Sequence, residues 1–329
     1  SPLSERNYKM HRMTLPFERG PLFYASYNVA LFFQLLFRKA DLLFSNDLDT
    51  LLPNFLVSYL RGKTLIYDSH EYFTEVPELV ARPKVQAIWK RLESWMLPKL
   101  ENALTVNASI ASLYKEDYGI EMKVLRNVPM IPESLLERTK QELGLPTDKK
   151  LVILQGSGIN IQRGAEEAVE AMSSVEETVL LILGSGDVIN TLKTMVDNQG
   201  LKHKVIFKDR MPYDEMMAHT KVADLGLTLD KNTNINYQFS LPNKLFDYIN
   251  AGIPVLASDL KEVKSIVEGY GIGEIVEEVS AKSVANKMKS MLASSKQSDW
   301  RSNCKKAAED LNWEKESEVL RNLLVEING

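Results

Sequence analysis

A single cysteine, Cys304, stands in 329 residues. It excludes an intrachain disulfide framework and a multi-cysteine zinc site, and it fits a reducing compartment. Histidine is nearly as scarce. His11, His70, His203 and His219 are scattered, without metal-ligand spacing. A strong charge of one sign is missing too: a net charge of −4 and a pI of about 5.8 leave no basic field for nucleic acid. The loop 156–164 carries neither GxGxxG nor GK[ST], which disfavours a dinucleotide oxidoreductase or a P-loop NTPase. The pair His70-Glu71 is not HExxH, because position 74 is Thr. No tandem repeat or low-complexity tract is visible, and no signal peptide is read at the start. Long apolar runs are also rare. The stretch 21–37 is broken by Ser26, Asn28 and Gln34 and is short for a span. It reads as a packed helix. A membrane-facing helix is the alternative, because Phe32, Phe33, Leu36 and Phe37 cluster beside Arg38 and Lys39.

What is present is globular and two-domain in scale. Hydrophobic content of 44% and charge of 26% are ordinary, and the length exceeds one typical core. Strands are expected over 40–45, 64–67, 103–106 and 122–125, with helices over 51–60, 84–97 and 109–118 between them. Residues 129–150 carry three prolines and read as a linker with a short helix over 134–143. The alternation then resumes, with strands over 151–154, 178–183, 205–207, 223–229, 253–257 and 274–276. Helices over 283–292 and 300–324 close the chain, the last broken near Asn312-Trp313. Such alternation predicts parallel sheets with helices on both faces, binding ligands at the carboxyl ends of their strands.

One stretch, NYQFSLPNKLFDYINAGIPVLASD over 236–259, organises the rest. Ser240 and Asn243 are candidate caps and Pro242 suits a first turn. Gly252 ends the helix and Pro254 forbids its continuation. A helix start favours an anion, Lys244 adds a cation there, and Asp247 shares its face one turn deeper, placed to accept from a sugar hydroxyl. The alternative is an ordinary helix with a fortuitous Lys/Asp pair. The loop 156–164 lies between a strand and a helix, where Gly156 and Gly158 allow close approach and Arg163 offers a fork for phosphate oxygens. Its alternative is a solvated loop arginine. Asp47-x-Asp49 is either a metal-binding DxD or, more simply, a pair of acids capping the next helix. His70 is either a sugar or phosphate contact or a structurally bonded histidine. Glu75 and Glu78 either face a cleft or are solvated.

With these residues in hand, the chain resembles the retaining GT-B glycosyltransferases of family 4, the group 1 transferases, over roughly 41–324. The segment SLPNKLFDYINAGIPVLASD is similar to that family's donor-nucleotide segment, and QGSGINIQRGAEEAVEAM to its first donor-domain loop. The resemblance implies an α/β fold of two Rossmann-like domains facing a cleft. An acceptor-side domain would cover 1–128, a donor domain 129–309, and a C-terminal helix 310–329 would cross back to the first domain. It implies that Asp247 binds the ribose and that Arg163 and Lys244 hold the diphosphate with Gly156, Gly158, Gly184, Ser240 and Asn243. The backbone of Arg210 and Met211 would flank the base, and His70 would contact the transferred sugar. Catalytic roles fall to His70, Arg163 and Lys244.

Three departures from the family pattern stand out. Phe239 occupies the position of an expected glutamate, leaving Asn236 or Ser240 to serve instead. Ser157 replaces an arginine in the first donor loop. The opening strand and glycine loop of the first domain are not visible, so that domain is expected to be short by several tens of residues or highly divergent. The implied activity is metal-independent transfer of a sugar from a UDP- or GDP-sugar to a glycan or lipid-linked acceptor, with no cofactor and no nucleic acid. The setting implied is cytoplasmic, with a peripheral contact at the inner membrane face through the first domain. A nucleotide-sugar epimerase and a non-catalytic nucleotide-sugar-binding subunit are the alternatives.

Overall fold

The computed structural model describes residues 8–130 and 136–329. The chain divides into two compact units. The first runs to Thr105 and adds Ala111–Val124 and Glu326–Gly329; the second consists of Val106–Ile110 and Leu125–Val325.

The first unit holds a four-stranded parallel sheet in the order β1 (Leu42–Asn46), β2 (Thr64–Ser69), β3 (Asn102–Thr105), β4 (Lys123–Val124). The register sets Asn46 opposite Asp68, so the chain leaves β1 and β2 at the same edge. The crossover helix Leu48–Arg61 contains Pro53, which lacks the N–H that would bond Asp49. Asn28 supplies the missing donor: its Nδ2 lies 3.1 Å from the Asp49 carbonyl oxygen. Asn28 belongs to the helix Gly20–Phe37, whose last turn is also held by Arg61, donating to the carbonyls of Leu35 and Arg38. The packed helix expected here is packed on one side alone. None of its side chains is buried, and Leu22, Val29, Phe33 and Phe37, spaced along one stripe, are each more than half exposed.

The second unit holds six parallel strands in the order β10 (Gly273–Val276), β9 (Val255–Ser258), β8 (Leu225–Thr228), β5 (Lys150–Gly156), β6 (Thr178–Gly184), β7 (Val205–Lys208). This is the doubly wound order that reverses between its first and fourth strands, here β5 and β8, and a crevice opens there. The apolar runs predicted as strands are buried on both faces. Val152 and Leu154 enter one core with Leu180, Ile182, Leu225 and Leu227. Leu151 and Ile153 enter the other with Leu245, Tyr248, Ile249 and Cys304.

Of the short helix expected over 134–143, residues 134 and 135 lie outside the described residues. The remainder is not helical, since residues 140–144 form a turn. The Glu142 carboxylate takes the Thr139 N–H and hydroxyl instead, and Gly144 in the left-handed region at φ 67° ends the segment before a helix nucleus is repaid.

Candidate functional site

The ends of β5, β6 and β7 and the starts of the helices Tyr213–Lys221 and Asn243–Ala251 line a cavity of about 960 Å³ in the second unit. β5 and β6 end in Gly156 and Gly184, whose backbones touch. A Cβ on Gly184, at φ 134°, would lie 1.8 Å from the Gly156 oxygen, so only glycine fits. The Ser185 N–H donates to Gly156 and the Ile159 N–H to Ser185, which fixes the loop after β5. That loop returns through Gly164, at φ 72° and pressed against Leu229, into the helix Ala165–Ala171.

Arg163, just before Gly164, reaches toward the buried carboxylate of Asp230, at the end of β8. The Arg163 Nη1 to Asp230 Oδ1 distance is 3.5 Å, and the guanidinium lies over the Tyr237 ring at 5.0 Å. Lys244 approaches the same carboxylate from the other side, with Nζ 3.9 Å from Oδ2. Burial lowers the Lys244 pKa, Asp230 opposes that shift, and Arg163 adds to it. Arg163 Nε and Asp230 Oδ2 have no hydrogen-bond partner among the described residues. The loop carrying Asp230 is tied to the Arg163 loop, because the Lys231 N–H donates to Gln162 and the Thr233 hydroxyl to the Gln162 side chain.

The helix that brings Lys244 runs Asn243–Ala251, and the caps expected from Ser240 and Asn243 do not form. Pro242 occupies the cap position, with no side chain able to accept, and Asn243 is already the first helical residue. No side chain therefore closes the helix start, which faces the cavity through Asn243 and Lys244. One turn deeper, Asp247 accepts from Gln155 Nε2 at 3.0 Å and from the Tyr213 hydroxyl at 2.9 Å. Thr220 in turn donates to Gln155 Oε1 at 2.6 Å. Burial pushes the Asp247 pKa up to about 6, against the pull of its two donors. The helix is pinned from below by Tyr248, whose hydroxyl accepts from the Gln155 N–H and lies within bonding distance of the Ile153 and Leu227 carbonyls.

A comparison across protein families matches residues 137–310, over half of the chain, to glycosyl transferases group 1. The chain belongs to that family. An uncharacterized glycosyltransferase of Methanocaldococcus jannaschii is 25% identical over 132 residues, which is 39% of this chain and 32% of that one. The chain therefore spans about a third of the length of this curated relative. Among solved structures, Anabaena HepE in complex with UDP-glucose aligns over 94% of this chain and 84% of its own, with a TM-score of 0.73 and 15% identity. Sucrose-phosphate synthase of Thermosynechococcus elongatus aligns over 93% and 77%, with a TM-score of 0.71 and 16% identity. WaaG, a glycosyltransferase involved in lipopolysaccharide biosynthesis, aligns over 95% and 98%, with a TM-score of 0.65 and 14% identity. These likenesses show the GT-B fold.

Within this group 1 transferase, the cavity gathers Gly156, Gly158, Arg163, Gly184, Arg210, Met211, Asn243, Lys244 and Asp247. Ser240 does not line it. Its hydroxyl is buried without a partner among the described residues. Phe239 packs its ring 5.7 Å from Lys261 Nζ, and its carbonyl accepts from Asn107 at 2.8 Å. Asp230, Gln155 and Tyr213 are polar participants that the motif reading did not single out. Asp230 carried a usable signal, because it is the first polar residue after a buried strand, the kind of position singled out elsewhere.

His70 belongs to the first unit, directly after β2. Its backbone N–H donates to Asp47 Oδ1 at 2.9 Å, its Nδ1 lies 3.1 Å from Asp47 Oδ2, and its Nε2 lies 3.3 Å from Asp68 Oδ2. With a carboxylate at each ring nitrogen, the imidazole is held protonated. Asp47 contributes most to a pKa raised to about 10. The helix cap expected of Asp47 is thus not made. Asp47 sits at the cap position, but at φ 57° its carboxylate turns to His70. Glu75 pairs with Lys90 at 2.6 Å and accepts from Gln86.

Proposed function

We propose that this chain is a retaining glycosyltransferase, moving a sugar from a UDP- or GDP-sugar to a glycan or lipid-linked acceptor. The observation that carries the reading is the pairing of Arg163 and Lys244 on one buried carboxylate, beside an uncapped helix start with Asp247 one turn below. Two cations and a helix dipole aimed at one point stabilise the charge that develops on a departing diphosphate. Asp247, a carboxylate with donors already on each oxygen, is an acceptor for ribose hydroxyls.

In the step we propose, the bond from the sugar's anomeric carbon to the diphosphate oxygen breaks. The acceptor oxygen bonds that carbon on the same face, and the acceptor proton passes to the departing diphosphate. Arg163 and Lys244 hold the charge of the leaving group, so the step needs no carboxylate nucleophile and no metal bridging the phosphates. His70, fixed as a cation by Asp47 and Asp68, is offered as a donor toward the transferred sugar. A cytoplasmic setting with peripheral contact at the inner membrane face is part of the same reading. It is supported by the exposed stripe of Leu22, Val29, Phe33 and Phe37 between Arg19 and the Arg38-Lys39 pair.

The test is product analysis after incubation with a panel of UDP- and GDP-sugars and glycan and lipid-linked acceptors. A glycosylated acceptor with retained anomeric configuration is expected. Interconversion of the sugar nucleotide without transfer means an epimerase, and bound but unchanged nucleotide means a binding subunit.

A further inference from the structure

The carboxylate of Asp247 is held on both oxygens from one neighbouring helix, Tyr213–Lys221. Tyr213, at the first position of that helix, donates to Asp247 Oδ1 at 2.9 Å. Thr220 lies about two turns later on the same helix face. It donates to Gln155 Oε1 at 2.6 Å, and Gln155 Nε2 donates to Asp247 Oδ2 at 3.0 Å. Gln155 and Thr220 are buried, so water does not stand in for these partners.

The sense of this relay follows from its chemistry. An ionised carboxylate only accepts, so the Gln155 amide turns its nitrogen to Asp247 and its oxygen to Thr220. The Thr220 hydroxyl has one proton and two acceptors within reach, Gln155 Oε1 at 2.6 Å and the Met216 carbonyl at 2.9 Å, and the shorter contact goes to the amide. The terminal torsion of an aspartate is soft. A donor on each oxygen is therefore what fixes the plane of the Asp247 carboxylate.

A carboxylate has about four acceptor positions on its two oxygens. With Tyr213 on one oxygen and Gln155 on the other, each oxygen keeps acceptor capacity, and Asp247 lines the cavity. Two hydroxyls on adjacent carbons of a ribose match the two oxygens of a fixed carboxylate. A 2′-deoxyribose brings only one of them and leaves the other oxygen desolvated without a donor.

We propose that Tyr213, Gln155 and Thr220 are positioning residues of the donor site, which fix Asp247 for a ribose diol and so restrict the donor to sugars carried on a ribonucleotide. The inference rests on the transfer reading for its donor and narrows the class of that donor. Calorimetric titration of the full chain compares UDP with 2′-deoxy-UDP and GDP with 2′-deoxy-GDP. It is made at pH 8, where Asp247, its pKa raised to about 6, is ionised. The ribonucleotide of the pair that binds is expected to be held roughly 10- to 100-fold more tightly, the usual worth of one hydrogen bond to a charged group.

Tyr213→Phe and Thr220→Val each remove one hydroxyl and little volume. Each is expected to bring the preference to within about threefold, and Thr220→Ser, which keeps the hydroxyl, is expected to retain it. A loss of packing alone weakens both members of a pair alike and leaves their ratio as it was. Should Thr220→Val fail to fold, Tyr213→Phe decides alone.

Equal affinity of the parent chain for ribo- and deoxyribonucleotide overturns the proposal, as does a preference that survives both Tyr213→Phe and Thr220→Val. A loss in Thr220→Ser matching that in Thr220→Val overturns the relay through Gln155. Transfer from a sugar nucleotide without a ribose preference refutes this inference and leaves the transfer reading standing. A preference that the variants remove, with no product from any sugar nucleotide, supports the positioning and removes the transfer reading.

Discussion

Asp230 Oδ1 lies 3.5 Å from Arg163 Nη1, although three crossovers of the chain, β5 to β6, β6 to β7 and β7 to β8, separate the two residues in sequence. Asp230 is completely buried, and its second oxygen faces Lys244. One carboxylate thus holds apart two cations that would otherwise repel. Asp230→Asn should cost the free protein about 3 kcal/mol, because it leaves charge buried without its partner. UDP-glucose, bringing its own negative charge, should restore much of the loss. Thermal melts with and without the nucleotide measure both effects, and a ligand shift no larger than that of the parent chain would contradict this role.

Arg163→Ala and Lys244→Ala should each lower kcat by roughly 10²–10³, the usual cost of removing one donor to a developing anion. Glu75→Gln should leave kcat within a few-fold, because Glu75 is engaged with Lys90 and Gln86. Steady-state rates for the three variants decide between leaving-group stabilisation and a carboxylate nucleophile. A loss at Glu75 matching that at Lys244 would refute the former.

If Asp247 takes the ribose as proposed, it should set a pH limit on donor binding. Burial raises its pKa to about 6 in the free protein, so the carboxylate is mostly protonated below that value and accepts poorly from hydroxyls. The affinity for UDP-glucose, which has no phosphate group titrating there, should hold above pH 7. Below pH 6 it should fall by up to about tenfold per pH unit. Asp247→Asn should bind weakly at every pH and lose the slope. Calorimetric titrations across pH 5 to 8 check this, and a flat profile in the parent chain would sink it.

Glu93 gives stability a pH dependence of its own. It is fully buried in the first unit, with Thr74 and Tyr118 both donating to one oxygen and the other oxygen without a partner among the described residues. Burial raises its pKa to about 7. A folded-state pKa above the unfolded value contributes stability that is complete below about pH 4.5 and is lost as pH rises through about 7. Glu93→Gln removes the buried charge while keeping an acceptor. It should raise stability at pH 8 by about 1–3 kcal/mol and change little at pH 4.5. Denaturant melts at the two pH values test the sign.

Much of the fold can be read from local pattern. Runs such as Leu151–Leu154 and Thr178–Leu183 are apolar because both faces of a parallel strand are covered, and Gly252 and Pro254 follow directly on the helix that ends at Ala251. The site was legible where chemistry and spacing coincide, as in Lys244 and Asp247 on one helix face. It was hidden where the partner comes from a different crossover. Asp47 and His70 are 23 residues apart, and only the register of β1 on β2 makes them neighbours. Asp230 is a lone acid in the sequence until the sheet order brings it to Arg163. The cap expected from Ser240 failed because Pro242 takes the cap position itself.

The phenol of Tyr248 has a further consequence. The amide of Gln155 bonds this side-chain oxygen, at the level where β5 and β8 have stopped pairing. That one N–H is therefore shielded from solvent deuterium only while the helix Asn243–Ala251 is seated. The chain carries its own reporter: the exchange rate at Gln155 reads how often the helix that brings Lys244 and Asp247 to the cavity lifts from the sheet, before any ligand is added.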